Sequence, residues 1–136
     1  MNCGSANESL LKENPDHEEI TRMINLLRKI IVTLRNLYAL ASSPLTTSRD
    51  FATTYQAFVE VRDAFWEEET EFLRNLRIHR RLRPLIKTIN PPLVRTSILC
   101  ESEIAGVHYS LNISPQLEES IDLVRGSLGD LESSLN

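Results

Sequence analysis

Residues 20–41 read ITRMINLLRKIIVTLRNLYALA, and the spacing of their apolar side chains decides the fold. Ile20, Ile24, Leu27, Ile31, Leu34, Tyr38 and Ala41 step by four and three, and Met23, Ile30 and Leu37 flank them on the same side. At 3.6 residues per turn these positions form one core-facing stripe, with Arg22, Asn25, Lys29 and Asn36 on the other side. The segment reads as a helix of about six turns. Arg28, Lys29 and Arg35 near its middle exclude a bilayer span, which would bury each of them at roughly 2.5 to 3.5 kcal/mol.

Upstream, residues 1–15 are polar and end at Pro15, and they read as a flexible acidic tail. Asp16 is the expected cap of the first helix, with Glu18 and Glu19 where the helix dipole favours negative charge. Downstream, Ser42, Ser43 and Pro44 end that helix, and Thr47 followed by Asp50 resembles a capping box for a second one. The second stripe contains Phe51, Tyr55, Phe58, Phe65, Trp66 and Phe72, so all four Phe and the single Trp lie on it. The packing centre of the domain is expected there.

A connection of this length joins antiparallel neighbours. Residues 16–79 therefore predict a helical hairpin in which Arg22 faces Glu67, and Arg28 and Lys29 lie near Glu60 and Asp63. Two stripe positions, Arg62 and Glu69, are charged and are expected to snorkel at its edge rather than form a buried pair.

After a break near Pro84, Leu82, Leu85, Ile86 and Ile89 predict a short helix over 82–90, stopped by Asn90-Pro91-Pro92. The connector 93–113 is ambiguous. Val94, Thr96, Ile98 and Cys100 alternate, as do Val107, Tyr109, Leu111 and Ile113, which suits a β-hairpin. A helix from Leu93 to Ala105 also fits and is preferred, since a lone hairpin is marginal without a sheet. Ser114 as cap and Pro115 as first residue open a last helix over 115–135. Its narrow seam of Leu117, Ile121, Val124, Leu128, Leu131 and Leu135 is coiled-coil-like. Gly126 and Gly129 each cost that helix about 1 kcal/mol, so it needs a partner, either the hairpin or another chain.

The fold class is therefore all-α: a small helical bundle built on a long antiparallel hairpin, with 16–136 as one domain. A chain of 136 residues is enough for one core, burying roughly 68 % of its unfolded area.

Composition narrows the chemistry. No glycine occurs between Ser5 and Ala105, which excludes a phosphate-cradling loop or dinucleotide fingerprint there. Cys3 and Cys100 form no CxxC pair, and His17, His79 and His108 stand apart from any nucleophile at local spacing. The run Glu67, Glu68, Glu69 and Glu71 points in successive directions around a helix and reads as a solvated face. We expect no enzyme, no cofactor and no metal. The low cysteine count and the lack of an apolar leader point to an intracellular chain, cytoplasmic or nuclear.

Two functional readings remain. The net charge of −4 hides alternating blocks: −4 over 1–21, +5 over 22–49, −6 over 50–73, +7 over 74–100 and −6 over 101–136. The first reading is a non-catalytic interaction or scaffold protein that packs helix on helix with a protein partner or a second copy, with Leu117, Val124, Leu128 and Leu131 as the contact residues. The second is a nucleic-acid-binding module using Arg74, Arg77, Arg80, Arg81, Arg83 and Lys87, since the guanidinium fork suits phosphate. Against it stand the acidic tail and Glu118, Glu119 and Asp122, which are expected to neutralise the cluster within the fold. A membrane-surface role for the first helix is not expected, because the second stripe can cover it.

Overall fold

The computed structural model describes residues 15–74, 80–106 and 113–135. All regular structure among them is helical: α1 (Pro15–Ala41), α2 (Ser48–Arg74), the short α3 (Arg83–Lys87), α4 (Asn90–Ile104) and α5 (Ser114–Ser134).

Helix α1 is the central element, packed on α2 along one flank and on α5 along the other. Its stripe and flanking positions bury together: Met23, Leu27, Ile30, Leu34 and Leu37 are all fully enclosed. Opposite them on α2, Phe51, Phe58, Phe65 and Phe72 recur every seven residues and are all buried, which confirms the packing centre. Burial of such large apolar areas is the main stabilising term of the bundle.

The loop 42–47 is held by its own hydroxyls. Thr46 Oγ1 donates to the Leu40 carbonyl (2.6 Å). Thr47 Oγ1 accepts the Asp50 N–H (3.1 Å), the cap expected from sequence. At the far end Arg22 reaches Glu68 (3.2 Å), one residue from the expected Glu67. Arg28 departs from expectation: it pairs with Glu132 of α5 (2.6 Å), because α5 rather than α2 lies on its side of α1. Asp63, its expected neighbour, accepts instead from Arg62 (3.0 Å).

The connector 93–104 is helix, not hairpin. Pro91 and Pro92 do not stop a helix but occupy the first turn of α4, where no amide donor is needed. Thr88 and Ile89 keep right-handed helical dihedrals, so α3 passes into α4 with only a short interruption. Gly106, at φ 74°, closes α4 in the left-handed conformation, its N–H bonded to Glu103 O (3.1 Å). Residues 107–112, the second half of the rejected hairpin, lie outside the described residues, as do the tail 1–14 and residues 75–79.

The cap of α5 is Ile113, not Ser114, which is the first helical residue; the Ser42 hydroxyl donates to the Ser114 hydroxyl (3.1 Å) and ties the start of α5 to the end of α1. Contacts from Arg95 to Glu119 and from Thr88 to Ser127 set α4 antiparallel to α5. Those from Arg62 to Ser97 and Trp66 to Asn90 set α2 antiparallel to α4. The four long helices thus run up, down, up and down, each beside its neighbours in a closed ring.

Candidate interaction surfaces

The seam nominated on α5 is not a surface. Leu117, Val124 and Leu131 are fully buried and Leu128 nearly so, enclosed by the chain's own α1 and α4. The partner that this glycine-containing helix requires is the hairpin, and the expectation that these four residues meet an external chain is corrected accordingly.

The basic cluster stays at the surface in part. Arg74 pairs with Glu71 one turn back (3.1 Å) and is otherwise exposed. Arg80, Arg81 and Lys87 are exposed and Arg83 is partly buried, whereas Arg77 lies outside the described residues. Of the acids expected to cover the cluster, Glu119 goes elsewhere: it binds Arg95 through two contacts of 3.3 and 2.9 Å, and that guanidinium holds the Glu119 carboxyl below its usual range. Among the described residues, none forms an ion pair with Arg80, Arg81 or Arg83.

Arg62 and Glu69 are neither free snorkels nor a mutual pair. Each crosses to α4. The Arg62 side chain, only 14 % exposed, donates to Ser97 Oγ (2.7 Å) and lies over the Trp66 ring at 4.7 Å. Trp66 Nε1 donates to Asn90 Oδ1 (2.9 Å), and Tyr55 donates to Glu101 (3.1 Å). Tyr55, Arg62, Trp66 and Glu69 share one side of α2, so the α2–α4 joint is a polar ladder beside an apolar core.

Helix α4 also carries the surface that the sequence reading missed. Its inner face is Leu93, Thr96, Ser97 and Cys100, all buried. Its outer face is apolar too: Val94 is 44 % exposed and Ile98 60 %, and together with exposed Pro91 they line an open depression of about 680 Å³ flanked by Lys87 and Arg95. On α5, Leu123 is also half exposed. The alternation of Val94 and Ile98 with Thr96 and Cys100 had the look of a strand. On a helix the same spacing gives two faces, one inward and one outward.

A second depression lies between α1 and α2 and is lined by Arg22, Lys29, Glu67, Glu68 and Glu71, with the Arg22–Glu68 pair across it. Glu71, on its rim, accepts from Arg74 of the same helix. Among the described residues no cluster of His, Cys, Asp or Glu is placed to hold a metal ion, and no helix is long and apolar enough to cross a membrane.

Among the described residues, these features define an antiparallel four-helix bundle with an outward apolar face on α4 and arginines at 80, 81 and 83 that form no ion pair. No family model, curated protein or solved structure matches the chain.

Proposed function

We propose that this chain is a non-catalytic interaction protein that docks helix on helix, through the outer face of α4. One observation carries the reading: Val94 and Ile98 are exposed on a helix whose other face is already buried, with Pro91 completing an apolar stripe. Grouped apolar exposure rimmed by charge is the usual form of a protein-binding patch. The buried free thiol Cys100 and the low cysteine count agree with action in a reducing, intracellular compartment.

The test is site-specific photo-crosslinking in cells. A photoreactive residue at position 94 is expected to capture protein, whereas one at Val32, more exposed still on α1, is not. Equal capture at both positions, or none at 94, overturns the reading.

A second reading is kept because Arg80, Arg81 and Arg83 have no ion-pair partner among the described residues. In it, these guanidinium groups contact the phosphates of a nucleic acid at the α3 end of the bundle. Titration with single- and double-stranded oligonucleotides at two salt concentrations checks it. Binding that weakens with salt and is lost in Arg80→Glu/Arg81→Glu supports the reading, and no binding at low salt removes it.

A further inference from the structure

We propose that the partner met by the outer face of α4 is a second copy of this chain, packed antiparallel about a two-fold axis. The inference rests on the reading of that face as the docking surface and adds what occupies it.

Lys87, Pro91, Val94, Ile98 and Glu101 follow one another at intervals of four, three, four and three residues. This is the spacing of a coiled-coil seam. Because Thr88 and Ile89 keep helical dihedrals, Lys87 stays in register with α4, and it lines the same depression as Pro91, Val94 and Ile98. All five residues are exposed.

The charge order along the seam selects the occupant. It is basic at Lys87, apolar through Pro91, Val94 and Ile98, and acidic at Glu101. A two-fold axis across the middle of the seam reverses one copy against the other. Val94 of each copy then meets Val94 of the other, Ile98 meets Pro91, and Lys87 of each lies toward Glu101 of the second copy. A parallel pair would set like charges together. The seam is therefore complementary to itself in one orientation only, which is the property an isologous interface requires. Tyr55 donates to Glu101 Oε2 (3.1 Å) and fixes the carboxylate on α2's side of the helix.

Size sets the strength. From Lys87 to Glu101 the face spans about 21 Å at 1.5 Å per residue. One helix face of that length covers less than the roughly 800 Å² per partner of a stable complex. The dimer is accordingly reversible, with a dissociation constant in the micromolar range or weaker.

Sedimentation equilibrium on the full chain, from low-micromolar to near-millimolar concentration, provides the test. The wild type is expected to pass reversibly from monomer to dimer. Ile98→Asp, at an exposed position where the monomer tolerates it, is expected to weaken association about tenfold or more, with unchanged circular dichroism. Lys87→Glu and Glu101→Lys each place like charges at both ends of the pair and are expected to stay monomeric. An equimolar mixture of the two variants restores opposite charges at both ends and is expected to associate again.

A wild type that is monomeric throughout, association unaffected by Ile98→Asp, or a mixture no better than either variant alone overturns the proposal. The crosslinking at position 94 separates the two failures. Capture of a different protein by a monomeric chain removes the second copy as occupant and leaves the docking face standing, whereas no capture removes both.

Discussion

Asn90 Nδ2 donates to both carboxylate oxygens of Glu69, at 3.0 and 2.8 Å, across the joint between α2 and α4. The same Asn90 accepts from Trp66 Nε1 (2.9 Å), so one amide at the start of α4 fixes two side chains of α2. The arrangement has an electrostatic penalty. Burial pushes the Glu69 carboxyl above its ordinary value, and the Asn90 hydrogen bonds and the Lys87 charge only partly oppose it.

A pH dependence follows, and its sign is fixed by that direction. A carboxyl raised in the folded state binds its proton more tightly folded than unfolded. The contribution of Glu69 to stability is therefore fully present below the unfolded value near 4.5 and is lost as pH rises through the raised folded value. Glu69→Gln removes this decline while leaving an oxygen for Asn90. Denaturant titrations at a series of pH values are expected to show the variant at least as stable as wild type at neutral pH. A variant less stable at pH 7 than at pH 4, by as much as wild type, contradicts the assignment.

Arg62 illustrates a different balance. Its guanidinium gains a 2.7 Å bond to Ser97 Oγ and the Trp66 ring face, and its stem is enclosed between two helices. Arg62→Ala is expected to lower stability by about 1 to 3 kcal/mol, from the lost charged hydrogen bond and lost packing together. Arg62→Met, which keeps the stem, is expected to recover part of that. Equal losses in the two variants would assign the whole effect to the charge.

The long helices were legible because their burial is one-sided and their spacing regular. The heptad-spaced Phe51, Phe58, Phe65 and Phe72 signal a core from sequence alone. The hairpin register was legible to within one residue, as Arg22–Glu68 shows, because the loop length fixes which positions meet. Two things were not legible. The partner of Leu117, Val124, Leu128 and Leu131 depends on whether α4 completes a ring, and a seam of that kind looks the same whether a chain covers it itself or offers it to another. The helix over 93–105 was the preferred reading, but its outer face was obscured because Val94 and Ile98 face outward while Thr96 and Cys100 face inward. Apolar residues on both sides of a helix imitate strand alternation, and so the outer face was not nominated.

The two glycines of α5 sit where no contact requires them. A Cβ at Gly126 or at Gly129 meets nothing within 4 Å. Each substitution by Ala is expected to stabilise the chain by about 0.5 to 1 kcal/mol, through backbone entropy and helix propensity. For a chain of this size that corresponds to a rise of a few degrees in thermal midpoint per substitution. Calorimetry on Gly126→Ala, Gly129→Ala and the double variant checks both the magnitude and its additivity.

Cys100 supplies a reporter of global opening. It is fully buried on the inner face of α4, and burial, aided by the Glu101 and Glu103 charges, pushes its thiol up to about 12. The thiolate is the reactive form, so the native protein is expected to resist aromatic disulfide reagents near pH 8. With Cys3 replaced by Ser, labelling should proceed only through unfolding and should accelerate with denaturant in step with the loss of helical signal. Rapid labelling in native buffer would place Cys100 at an accessible position instead.

Removal of α5 gives the most direct check on the ring of helices. Leu117, Val124 and Leu131 cover the second flank of α1, so a chain ending at residue 113 exposes Ile24, Ile31 and their neighbours to water. Each fully buried aliphatic side chain is worth about 1.5 to 3 kcal/mol, and a domain's whole stability is about 5 to 15 kcal/mol. Loss of three such side chains together with their contacts is therefore expected to abolish cooperative unfolding and leave a collapsed chain that binds hydrophobic dye. Leu117→Ala alone, at about 2 to 5 kcal/mol, is expected to destabilise without unfolding, which separates a weakened core from a missing one. A truncated chain that stays monomeric, melts cooperatively and binds no dye would show that α5 is dispensable to the core, and would return its seam to the surface.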